Sequence, residues 1–228
     1  MSARRGRRRN RGASTRGMAK RVRRLEDTAE ETKHILFSDI ALPGRRAGFA
    51  AASVYAGAPQ QLYISGLTRG NTVQSRIGDK VVFTSIRFKV QCFFSSALVN
   101  QCTVNWFIYR LNAGTVAIAA TDILIGIYGT ASPTMSSLPD INNRNDQRFT
   151  VLKRGNYKHV APSDASSENQ VINIIYRKKV YSEYRFNDLG TIADQNKNAL
   201  YLLIWADKPG SDPGYINIDC DGHVFFHG

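Results

Sequence analysis

The stretch Lys80-Val-Val-Phe-Thr-Ser-Ile-Arg-Phe-Lys-Val-Gln-Cys-Phe-Phe94 decides the fold. Val82, Thr84, Ile86, Phe88, Val90, Cys92 and Phe94 fall on one side of it, while Ser85, Arg87, Lys89 and Gln91 fall on the other. Side chains alternate across a strand but recur every 3.6 residues around a helix, so this period of two predicts one long, half-buried β-strand. Downstream lie further strand-like runs at 101–110, 147–153, 157–160, 171–181, 184–186, 199–206 and 214–226, separated by turns carrying Gly, Pro, Asn and Asp. One helical segment, 117–128, interrupts them. About eight strands with several long connections suit an all-β sandwich of two sheets, of Greek-key or jelly-roll type, better than an up-and-down meander. No solenoid or propeller period appears.

Upstream the pattern changes. Residues 41–79 are rich in Gly, Ala, Pro and Ser and read as a linker, with a short candidate strand at 61–65. Before it, Met18, Val22, Leu25, Ala29, Thr32 and Leu36 follow one another at alternating steps of four and three. That spacing predicts an amphipathic helix from Ser14 to Leu36, with a short coiled-coil seam. The division expected is therefore an arm with a short helix (1–40), a linker (41–79) and a β domain (80–228).

Charge divides the same way. The chain of 228 residues carries 31 basic and 18 acidic residues, a net charge of +13. Eleven of the cations, Arg4, Arg5, Arg7, Arg8, Arg9, Arg11, Arg16, Lys20, Arg21, Arg23 and Arg24, lie in the first 24 residues, which contain no acid. The remainder holds 20 against 18 and is nearly neutral. A block of like charge with so few apolar residues buries too little surface to order itself, so it predicts a solvated arm until a polyanion arrives. Arginine pairs bidentately with phosphate oxygens at any physiological pH, so the arm is expected to follow a phosphate backbone without reading bases. A nuclear localisation signal is a compatible second reading.

Other classes find little. A secretory signal needs an apolar stretch of about 7–15 residues after its charges, whereas Arg24 is followed by Leu-Glu-Asp-Thr-Ala-Glu-Glu. The most apolar run, Ala199 to Ala206, is far shorter than the roughly 20 residues of a membrane span, so no membrane partner is expected. Cys92, Cys102 and Cys220 read as reduced core residues. Cys220, His223 and His227 spell C-x-x-H-x-x-x-H. On a strand, however, Cys220 and His223 point to opposite faces, and the two histidines stand about 13 Å apart, so zinc is not expected. Asp207, Asp212, Asp219 and Asp221 cluster loosely in sequence. They read as solvated acids, with structural Ca²⁺ at a subunit contact as the alternative. No nucleophile or nucleotide motif is present, which argues against an enzyme.

Four segments carry a resemblance. Gln74-Ser-Arg-Ile-Gly-Asp-Lys80, leading into the long strand, resembles the approach to the first core strand in coat proteins of the satellite tobacco necrosis virus type. Trp106-Phe-Ile-Tyr-Arg110 and Gln147-Arg-Phe-Thr-Val-Leu-Lys153 are similar to later strands of that family. Asn198-Ala-Leu-Tyr-Leu-Leu203 resembles a late strand in geminivirus and other circular single-stranded DNA virus capsid proteins.

The resemblance implies a single jelly roll of two four-stranded sheets and a many-copy icosahedral homo-oligomer. It further implies arms bundled as helices at the three-fold axes and a packaged single-stranded genome. The chain would then reside in the virion, assembling in the host nucleus or cytoplasm. The denser arginine content of this arm leans towards DNA over RNA. Arg87, Lys89 and Lys153 are expected to extend the phosphate-binding surface. The rival reading, a non-viral RNA-binding or ribosome-associated β-sandwich protein, would spread its cations over the body.

Overall fold

The computed structural model describes residues 33–40, 42–49, 52–54, 58–97, 101–112, 118–125, 140–141, 148–160, 168–185, 190–207 and 216–228. Its strands are β1 (Lys33–Ser38), β2 (Arg46–Ala47), β3 (Ala52–Ser53), β4 (Gln60–Tyr63), β5 (Lys80–Phe94), β6 (Cys102–Leu111), β7 (Leu124–Ile125), β8 (Asp140–Ile141), β9 (Phe149–His159), β10 (Glu168–Tyr176), β11 (Val180–Tyr184), β12 (Gln195–Lys197), β13 (Leu200–Ala206) and β14 (Ile216–His227). The larger sheet runs β12-β11-β5-β14-β1-β2, with β10 also on β5 and β3 on β14; the smaller runs β4-β13-β6-β9. Apart from the short parallel β1–β2 pair, the pairings within these two sheets are antiparallel. The main core lies between the sheets, and all three cysteines are buried and unbridged there. Burial pushes the Cys92 thiol up to about 12. The fold is an all-β sandwich. Taken in chain order, β1, β4, β5, β6, β9, β10 with β11, β13 and β14 lie in the large, small, large, small, small, large, small and large sheet.

The long strand forms over the residues its period marks, but its face changes once. Ile86, Phe88, Val90, Cys92 and Phe94 point inward as expected, whereas at the near end Val81 and Phe83 are the buried pair and Val82 and Thr84 are not. Phe225 pairs with Ser85 and Phe226 with Phe83, so Thr84 is an extra residue, a β-bulge that exchanges the two faces. On the other side of β5 the same place interrupts the partner. The single run expected over 171–181 is two strands, broken at Arg177, Lys178 and Lys179, all exposed. Conversely, 147–153 and 157–160 form one strand, β9.

Three expectations are corrected. Leu36 belongs to β1, whose Ile35 and Phe37 enter the core while five consecutive residues pair with β14; this pairing and burial override the helical spacing at that end. The rest of the helix and seam lies outside the described residues. The segment 41–79 is not only a linker, because β4 lies in the smaller sheet and Ile64, Leu67 and Arg76 are fully buried. Of the helix expected over 117–128, the described part is one turn, α1 (Ala120–Ile123), running directly into β7. Leu124 has extended backbone at the turn's end.

β13 is buried along its whole length because both its faces are covered. Leu200, Leu202 and Ile204 meet the larger sheet, while Tyr201, Leu203 and Trp205 join a second core with Phe107, Tyr109 and Phe149 on the outer side. Tyr109 stacks on Tyr201 at 5.1 Å, and Phe107 meets Trp205 edge-on at 5.2 Å. Ile118, Ile123 and Leu124 cover this second core.

Candidate nucleic-acid interface

Alternation on β5 sends Arg87 and Lys89 outward from the larger sheet, and both are exposed. Across β14, Arg87 stands opposite His223 and Lys89 opposite Asp221; across β10 their neighbours are Ile175 and Asn173. The Arg87 guanidinium lies 5.2 Å from the centre of the Phe225 ring, and its Nε donates to Ser85 Oγ at 3.3 Å. Lys153 belongs to the other sheet. Its Nζ donates to the Ile175 carbonyl at 2.5 Å and lies 5.9 Å from the Trp106 ring, bridging the two sheets at their β9–β10 rim. The structure thus places Arg87 and Lys89 on one face and Lys153 at an edge of the sandwich.

The arm cations, Arg4 to Arg24, lie outside the described residues, but the point at which the chain enters the body is defined. The Lys33 amine is buried and donates to the Ser75 carbonyl at 3.0 Å, and the His34 N–H donates to the Val73 carbonyl at 3.0 Å. His34 stands opposite Phe225. The root of the arm therefore adjoins the face that carries Arg87.

Two histidines share that face: His223, which the sequence offers only as a zinc ligand, and His34, which it does not single out. His34 and His223 lie 6.2 and 6.1 Å from the Phe225 ring, centre to centre. Their grouping depends on the register of β1 against β14, and β1 reads as the end of a helix. Burial, followed by the charges of His34, Arg45 and Arg87, lowers the His223 pKa, and Asp221 opposes them.

The remaining candidates separate. Cys220 points into the core and His223 out of it, as strand geometry requires. Asp207 accepts from the Thr103 N–H at 2.5 Å at the end of β13, where burial raises its pKa, while Asp219 and Asp221 lie on β14 in the other sheet. Asp212 lies outside the described residues. Among the described residues, no group of three or more His, Cys, Asp or Glu is placed to hold a metal ion, and no helix is long and apolar enough to cross a membrane.

No protein-family model matches the chain, and no curated protein matches it.

At the rim, buried His159 stacks on Phe94 at 4.0 Å with 4° between the rings, and its Nδ1 lies 3.5 Å from Glu168. Burial lowers its pKa and outweighs the attraction of Glu168. The unfolded chain therefore takes up this proton first as the pH falls below about 6.5, and the native state loses up to about 1.4 kcal/mol per pH unit from this group. His159→Phe keeps the stack and is expected to flatten that part of the curve of stability against pH, measured by urea unfolding from about pH 7.5 to about pH 5.

Proposed function

We propose that this chain is a viral capsid protein, which assembles in many copies into a small icosahedral shell and packages a single-stranded genome through its arginine-rich arm. The observation that carries the reading is the division of charge: eleven cations in 24 residues precede a sandwich whose sequence is nearly neutral. The order of the strands supports it further. The alternation of the eight principal strands, with β1-β14-β5-β10/β11 facing β4-β13-β6-β9, supports reading the sandwich as a jelly roll. In that reading β5 is the third principal strand, not the first.

The mechanism is electrostatic co-assembly. About sixty arms carry about 660 positive charges, enough to offset a large part of the phosphates of a genome on the order of a thousand nucleotides, and binding releases counterions. One arm binds weakly at physiological salt, whereas many arms tethered to one closed shell bind with avidity. The shell needs no base-specific contact and no catalytic residue for this. The density of arginine favours DNA over RNA and an assembly route through the nucleus.

Deleting residues 2–24 tests the reading. The full chain is expected to give uniform particles with nuclease-protected nucleic acid. The deletion variant is expected to retain its fold, because β1 begins only at Lys33, and to lose most of that nucleic acid. Undiminished nucleic acid overturns the role of the arm. A chain that stays monomeric across assembly conditions overturns the capsid.

A further inference from the structure

Around Phe225 the larger sheet brings together side chains from three separate parts of the chain. His34 comes from β1, Arg87 from β5 and His223 from β14 itself, all within about 6 Å of the Phe225 ring centre. Arg45, exposed in the turn before β2, adds a second guanidinium near His223. We propose that this cluster is a phosphate seat for a single-stranded nucleic-acid backbone, engaged when its histidines take up protons. The proposal rests on the packaging reading and gives it a second contact, on the body, beside the root of the arm.

The placement of charge argues for an anion. Arg87 and Arg45 hold their charge at every physiological pH, and protonation of either histidine adds a cation to a face already carrying these two. That repulsion contributes to holding His223 neutral. A phosphate between them reverses its sign, so anion binding and proton uptake favour each other. The acids on the face are displaced from the centre. Asp221 stands across from Lys89, and Asp219 lies one step further along, opposite Gln91. His227 is two positions beyond Phe225 on β14, and β10 faces this region with Val171, Asn173 and Ile175, which do not titrate. The partly exposed Phe225 ring offers a surface for a base or sugar next to the phosphate.

The test uses the full chain and a short oligothymidylate, with affinity measured against salt concentration at about pH 7.5 and about pH 5.5. The Arg and Lys side chains of the arm keep their charge over this range, whereas it spans the ordinary titration range of an imidazole. In the wild type the slope of log affinity against log salt is expected to steepen on acidification, by roughly 0.7 for each histidine that charges. His34→Asn with His223→Asn should hold the shallow slope at both pH values, and His34→Lys with His223→Lys the steep slope at both. A wild-type slope indifferent to pH, or steepening that survives in the asparagine variant, overturns the seat while leaving the arm intact. Absence of salt-sensitive binding at either pH overturns the packaging reading together with it.

Discussion

Arg76→Met is expected to destabilise the sandwich by about 3 kcal/mol, read as a lower midpoint in urea with an unchanged slope. The side chain is fully buried. Its Nη1 donates to the Gly78 carbonyl at 2.8 Å and to Asp79 Oδ1 at 2.9 Å, its Nη2 donates to the Arg185 carbonyl at 2.8 Å, and its guanidinium lies 4.8 Å from the Tyr184 ring centre. Methionine fills similar space but leaves two backbone carbonyls without their charged donor, each worth about 1–3 kcal/mol. Asp79 is half exposed and returns to water, so the ion pair itself adds little. Arg76→Lys keeps the charge without the planar fork and should recover less than half of the loss. Full stability in the methionine variant would show that the loop before β5 holds itself.

Gly222→Val should have an effect of similar size, about 3 kcal/mol. Gly222 pairs with Phe88 in the middle of the β5–β14 ladder, and a Cβ there would lie 2.1 Å from Phe88 Cε1. Phe88 in turn meets Phe37 at 5.4 Å, so the ring cannot retreat without disturbing β1. Removing the obstacle tests the cause. Phe88→Ala alone opens a cavity and costs about 3–5 kcal/mol. Combined with Gly222→Val, the pair should be less harmful than the sum by about 1–3 kcal/mol. Simple additivity would mean that the valine is harmful for another reason.

Where a strand buries one face, its residues announce it. The far half of β5 and nearly all of β14 are legible because Ile86 to Phe94 and Ile216 to Phe226 alternate without interruption. The near half of β5 is misread because the bulge at Thr84 shifts the phase by one, and Thr84 fits either face in size. β13 shows no alternation, since both sides are covered, and only its length argues for a strand. β1 is hidden because its six residues continue a helical spacing, and the pairing with β14 that decides otherwise lies almost 190 residues away. The same distance hides the candidate site. Arg87 and Lys89 can be found from their own strand, but His34, His223 and Phe225 become neighbours only once two termini of the domain are laid side by side. In the sequence Arg76 stands out only through the resemblance of its segment, and its clamp depends on Arg185 and Tyr184, more than a hundred residues on.

The amine of Lys33 is buried where the arm meets the sandwich. It ties the start of β1 to Ser75, so the root of the arm is a fixed point on the body. The 32 residues that precede Lys33 in the sequence span at most about 110 Å when fully extended. If the proposed shell forms, arms moored on facing walls less than twice that reach apart could meet across its interior.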